Sequence, residues 1–114
     1  MEDRFLQQLK KGVLEMLVLN ILCQKSSYGY ELMAELKTRS SDLFSLKEGT
    51  LYPILYRLED DGLIQSAWSS GEGKISPKKM YSATEKGRAE NLRRFTTWKA
   101  FSHTVDDMIQ EDAT

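Results

Sequence analysis

Residues 49–64, GTLYPILYRLEDDGLI, decide how this chain folds. Leu51, Ile54, Leu55 and Leu58 recur at helical spacing, so they share one face that is predicted to be buried. Gly62 stops the helix, and the apolar pair Leu63 and Ile64 starts a strand directly behind it. The opposite face carries Thr50, Tyr52, Pro53, Tyr56 and Arg57, whose hydroxyls and guanidinium suit phosphates and base edges. A helix of this kind followed by a hairpin predicts the reading helix of a winged helix-turn-helix. The fold class is then α+β, mainly α with a small β-hairpin.

Working outward towards the N-terminus, residues 3–22 carry a wide apolar stripe of Leu6, Leu9, Val13, Met16, Leu17, Val18, Ile21 and Leu22. A helix apolar over so much of its circumference is expected to pack against two neighbours. Gly12 in its interior costs about 1 kcal/mol relative to Ala, which a close backbone crossing would explain. Lys25, Ser26 and Ser27 interrupt the pattern, and either serine can cap a second helix over 28–39. Leu32, Met33 and Leu36 face inward there. Residues 40–45 are a connector, with an extended piece expected around 43–46. Ser45 and Glu48 have capping-box spacing, but that start would put Pro53 in the second turn, where its ring meets a carbonyl. A start at residues 47–49, with Pro53 close to the first turn, is preferred.

On the C-terminal side, LIQSAWSS (63–70) reads as a strand, SGEGKISP (70–77) as a polar loop and KKMYSA (78–83) as the returning strand. Thr84 caps a last helix over 85–110, with Glu85 and Glu90 in its early turns. The chain divides into a winged-helix unit, 1–84, and a C-terminal helix, 85–114.

The 114 residues suffice for one domain. No apolar run approaches the roughly 18 residues of a membrane span, and MEDRFLQQLKK lacks the apolar core of a signal peptide. A cytoplasmic protein is expected. Cys23 and His103 are the only residues of their kinds, which excludes an intrachain disulfide and a cysteine zinc cluster. Cys23 is read as a buried, inert thiol and His103 as a surface residue. Without a Gly-rich phosphate loop either, no catalytic site, metal site or cofactor is expected.

The net charge of −1 counts against extensive phosphate neutralisation. Position moderates the objection. Lys74, Lys78 and Lys79 cluster around the hairpin, while acids collect at 59–61 and 106–112. The distribution suits local contact rather than wrapping.

LYPILYRLEDDGLI, LKKGVLEMLVLNIL with SYGYELMAEL, and YSATEKG together resemble the PadR family of transcriptional regulators over residues 5–112. The resemblance implies a repressor that binds double-stranded DNA. It implies that Thr50, Tyr52 and Arg57 contact DNA, with Lys47 at the start of the helix and Tyr56 on the same face. The family's wing carries a run of arginines; this chain has GEGKISPKKMY, with Lys78, Lys79 and Lys74 as its candidate contacts.

The last helix carries Leu92, Phe95, Trp98, Val105 and Ile109 on one stripe, with Phe101 and Met108 beside it. Left open, the stripe would be a large apolar patch. Burial against a second copy is expected, since two-fold dimers are the commonest assemblies. Such a dimer would place two reading helices on the half-sites of a near-palindromic operator. Some short family members bind flat aromatic compounds between paired tryptophans at the dimer centre. By resemblance Trp98, in FTTWKAFSHTV, occupies that position, with Phe95, Phe101 and Ser102 around it. The plainer reading of Trp98 is interface packing alone. Trp68, on the wing strand, is read as packing. The competing function is a winged helix that engages a partner protein without reading DNA sequence.

Overall fold

The computed structural model of the chain describes residues 3–69 and 76–109. Its elements follow in the order α1 (Arg4–Gln24), β1 (Ser27–Tyr28), α2 (Gly29–Arg39), α3 (Glu48–Asp60), β2 (Ile64–Trp68), β3 (Lys79–Ala83) and α4 (Glu85–Met108). The strands pair antiparallel in the order β1-β3-β2, with Ile64 opposite Ala83, Trp68 opposite Lys79 and Ser27 opposite Tyr81. The arrangement is mainly helical with a small sheet, as the period-3.6 and period-2 patterns imply.

The predicted apolar row of α3 forms the centre of the core. Leu51, Leu55 and Leu58 are fully buried and Ile54 nearly so. They pack with Val18, Leu19 and Leu22 of α1, Leu32 and Leu36 of α2, Ile64 of β2 and Tyr81 of β3. Each such leucine contributes about 1.5–3 kcal/mol on burial. Helix α1 touches α2, α3, β3 and α4, which explains why its middle is apolar nearly all round. Its N-terminal turns differ, for Phe5 and Leu9 remain exposed. The close crossing expected at Gly12 is not there: a Cβ at that position would meet nothing within 4 Å.

Several boundaries differ from the sequence reading, each for a local reason. Neither Ser26 nor Ser27 caps α2. Ser27 is buried in β1, where its hydroxyl donates to the Lys25 carbonyl at 3.1 Å. Tyr28 takes the N-cap position, and its amide donates to the Glu31 carboxylate at 2.8 Å. No strand forms around 43–46. Ser40 Oγ instead donates to the Leu36 carbonyl and accepts from the Phe44 amide at 2.8 Å. Those bonds curl the chain through left-handed backbone at Ser41 (φ 51°) and Asp42 (φ 71°) and bury Phe44. Helix α3 starts behind Lys47, as preferred, while Ser45 bonds back to the Asp42 carbonyl and caps nothing. Pro53 nevertheless lies in the second turn, as the sixth helical residue. It removes the donor that the Gly49 carbonyl would meet, which is tolerable because Pro53 faces solvent.

The exit of α3 and the start of α4 are built together. Gly62 adopts φ 75°, a conformation glycine takes at no steric penalty, and the Leu63 amide returns to the Leu58 carbonyl at 2.9 Å. Thr84 accepts the Gly87 amide as the predicted cap of α4 and donates to the Gly62 carbonyl at 2.7 Å. The Leu63 carbonyl accepts from the Thr84 amide and lies directly against Gly87, where a Cβ would overlap it. Lys86 closes the junction through the Asp61 carbonyl at 2.8 Å. Further along α4, Glu90 holds Arg93 and Arg94 at 2.7 Å each, and Asn91 accepts from Asn20 of α1 at 3.3 Å. The helix ends at Met108 with Ile109 as cap; Gln110, the end expected from sequence, lies outside the described residues.

Two expectations follow from the junction and from α4. Gly87→Ala should destabilise the chain by about 2–3 kcal/mol, because the overlapped atom is backbone and cannot rotate away; denaturant titration measures this. Hydrogen bonds from Arg93 and then Arg94 hold the Glu90 carboxyl down at about 2, against an ordinary 4.5. A lowered carboxyl stabilises the fold above the unfolded value and loses that contribution as pH falls through the folded one. Glu90→Gln should therefore flatten the acid limb of a stability profile between pH 4.5 and about 2, by roughly 0.2–1 kcal/mol for a surface pair.

Candidate nucleic-acid interface

Three elements meet around a groove of about 430 Å³. The start of α2 supplies Tyr28 and Tyr30, the flank of α3 supplies Glu48, Tyr52 and Tyr56, and the hairpin supplies Trp68, Lys78, Lys79 and Tyr81. All of the chain's five tyrosines line it. At 100° per residue, the solvent side of α3 splits into three rows. Gly49, Pro53 and Tyr56 point most directly away from the buried leucines. Glu48 and Tyr52 lean towards the wing, and Thr50 and Arg57 lean towards α1.

The predicted contact residues therefore occupy different parts of one face. Lys47, the N-cap, and Thr50, in the first turn, are exposed. Tyr56 is exposed, whereas Tyr52 is half-buried and packs on the core. Gly29 makes room for Tyr52: a Cβ there would run into the Tyr52 hydroxyl. Arg57 is exposed, with Nε 3.9 Å from a Glu15 carboxylate oxygen on α1. A pair so long and so wet holds Arg57 weakly, leaving it free to exchange the carboxylate for a phosphate. Tyr81 belongs to the floor. Burial, then the neighbouring Tyr52, Tyr56 and Glu59, push its hydroxyl up to about 12, so it remains a neutral donor.

The base of the wing is closed by a reciprocal pair. The Ser69 amide donates to the Lys78 carbonyl at 2.7 Å, and the Lys78 amide donates to Ser69 Oγ at 3.0 Å. Lys78 Nζ lies 4.9 Å from the centre of the Tyr30 ring and 5.9 Å from that of Tyr28. Lys79 Nζ lies 5.8 Å from both Trp68 and Tyr81. Neither lysine forms an ion pair among the described residues. Lys74 lies outside the described residues. Trp68 is 68% exposed, so it is not the packing residue expected from sequence; its last position in β2 carries it past the edge of the core. Tyr28, Tyr30 and Trp68 line the groove without having been picked out by the sequence pattern. The available signal was the repeated aromatic in SYGY, residues 27–30, immediately before a predicted helix.

A second surface lies on α4. Leu92, Phe95, Phe101, Met108 and Ile109 are at least half exposed, Trp98 is 39% exposed, and only Val105 and Ser102 are partly covered. The radius of gyration is 16.6 Å, with extents of 66 × 35 × 20 Å. A compact chain of this length would have about 13 Å. The chain is drawn out, and an apolar face is uncovered on its final helix. His103 is exposed there, 3.3 Å from Asp107. Cys23 is half-buried beside the Gly87 carbonyl, and burial pushes its thiol up. Among the described residues no His, Cys, Asp and Glu group could hold a metal, and no helix is long and apolar enough to cross a membrane.

Helix, turn, outward-facing helix and hairpin in this order make a winged helix-turn-helix, the fold of a class of transcriptional regulators. The profile of the transcriptional regulator PadR-like family matches residues 18–93. An uncharacterised protein of Lysinibacillus sphaericus is 31% identical over 98 residues, 84% of this chain and 87% of that one. The negative transcriptional regulator PadR of Bacillus subtilis is 31% identical over 78 residues, 68% of this chain and 42% of its own length. The crystal structure of a PadR family transcriptional regulator from Eggerthella lenta superposes with a TM-score of 0.83 at 30% identity, covering 95% of this chain and 91% of that one. The chain belongs to the PadR-like family of transcriptional regulators.

Proposed function

We propose that the chain is a cytoplasmic, homodimeric repressor that reads a pseudo-palindromic operator. The observation that carries this reading is the shared face: the outward side of α3 and two wing lysines that pair with no carboxylate among the described residues border one groove. Residues 1–84 act as the reading unit and 85–114 as the dimerisation helix. Thr50, Tyr56 and Arg57 enter the major groove with Tyr52 at their flank, Lys47 meets the phosphate beside the helix start, and Lys78 and Lys79 meet the backbone under the wing. Lys74 belongs with the wing contacts by its place in the sequence.

The uncovered stripe on α4 supports the dimer. Leu92, Phe95, Trp98, Val105, Met108 and Ile109 bury one another across a two-fold axis. Trp98, with Phe95, Phe101 and Ser102, then forms a place for a flat aromatic effector between the two copies. An effector that favours one half-site spacing over another shifts the population and releases DNA. The negative action stated for the Bacillus subtilis relative supports repression over activation.

Three measurements test this reading. Selection from a random duplex pool should enrich one inverted repeat; no enrichment would favour a partner-protein module instead. Arg57→Ala should weaken binding to that duplex about tenfold, the loss of a charge-assisted hydrogen bond, and reduce the slope of log K against log salt by about 0.9. Leu92→Glu, at an already exposed position on that stripe, should leave the protomer folded and halve the mass seen by sedimentation equilibrium. A monomeric parent chain would remove the dimer from the reading.

A further inference from the structure

We infer that Tyr30 and Trp68 are positioning residues for the wing, holding Lys78 and Lys79 on aromatic faces so that both ammonium charges stay available to DNA phosphates. The inference rests on the duplex reading above and concerns a device that reading does not require.

A lysine on a flexible four-carbon stem can be held still in two ways. A carboxylate orients it but cancels its charge, and a phosphate must then displace the carboxylate before it gains anything. An aromatic face orients the ammonium through its quadrupole while carrying no net charge, so the field presented to DNA is undiminished. Among the described residues the groove uses the second way for Lys78 and Lys79. Lys78 sits 4.9 Å above Tyr30, and Tyr30 stacks on Tyr28 at 5.9 Å with the rings 8° from parallel. Those rings stand at the start of α2, one packed element away from the hairpin. Tyr28 pairs with Met80 across β1 and β3, which brings the stack beside Lys78, two residues earlier in the chain. Lys79 is held within the sheet: Trp68 is its cross-strand partner, and Tyr81, two residues on, shares its face.

The arrangement has a cause in the sequence. A wing with few lysines has to supply what a wing with many cations obtains by number, so each is best placed with little loss of freedom on binding. Tyr30 and Trp68 are 55% and 68% exposed, so the core does not need them. Large exposed aromatics whose contacts include the wing cations are explained by those contacts.

The test separates the clasp from its use. In the parent chain, NMR should show the Lys78 ε-methylene protons displaced upfield by the Tyr30 ring current, relative to those of Lys47. Tyr30→Leu should cut that displacement to the smaller contribution of Tyr28, 5.9 Å away, and Tyr30→Phe, which keeps the ring, should restore it. Unshifted Lys78 protons in the parent overturn the clasp. On the duplex selected above, Tyr30→Leu should lower affinity about three- to tenfold, with Tyr30→Phe near the parent. In the Lys78→Ala background Tyr30→Leu should have no further effect. Equal duplex affinities for Tyr30→Leu and parent, with the shift cut as expected, overturn the positioning role. A parent chain that binds no duplex overturns the DNA reading and the positioning role together, yet leaves the ring-current signature in place, so the two failures look different.

Discussion

The Leu63 carbonyl, wedged against Gly87 and bonded to the Thr84 amide, is the contact on which the rest of the molecule depends. It joins the exit of the outward-facing helix α3 to the start of α4 without an intervening side chain. Gly62 turns the chain out of α3 in a left-handed conformation, and Thr84 bonds back to the Gly62 carbonyl while capping α4. Backbone packed on backbone leaves little room for relative movement, because no rotamer can change. The angle between α3 and α4 is thereby set by the chain itself.

Charge is managed locally in the same economical way. A net charge of −1 describes the chain as a whole and says little about its aromatic groove. Glu90 is occupied with two arginines on α4, and Glu59 accepts from Ser66 at 2.6 Å. Glu15 meets Arg57 only at the edge of ion-pair range. The wing lysines meet rings instead. Among the described residues no acid pairs with Lys78 or Lys79, although Glu48 lines the same groove.

Much of this architecture was legible in the sequence because it follows from periodicity. The row Leu51, Ile54, Leu55 and Leu58, the stop at Gly62, the hairpin and the cap at Thr84 each have a local signature that burial later enforces. What was not legible arises between segments. β1 is two residues long and exists because Tyr81 and Met80 offer it a partner, so no alternation could announce it. The connector after α2, where an extended piece is expected around 43–46, is instead folded back by Ser40 with two side-chain bonds. The same limit applies to the groove. Tyr52 and Tyr56 were visible as a helix face, whereas Tyr28, Tyr30 and Trp68 join them only once α2 and the hairpin are in place. At Gly12 a mid-helix glycine invites a crossing explanation, yet among the described residues nothing lies within 4 Å of a Cβ there.

The two tryptophans, finally, are divided between the two surfaces. Trp68 stands on the wing beside a lysine, and Trp98 stands on the uncovered face of α4, both reached by water. Indole emission responds to loss of water and to nearby charge, so the chain carries a separate optical reporter on each surface. Replacing either indole with phenylalanine leaves the other as the sole source of signal. Events at the wing and events along α4 can then be followed one at a time in the same protein, without attaching a dye.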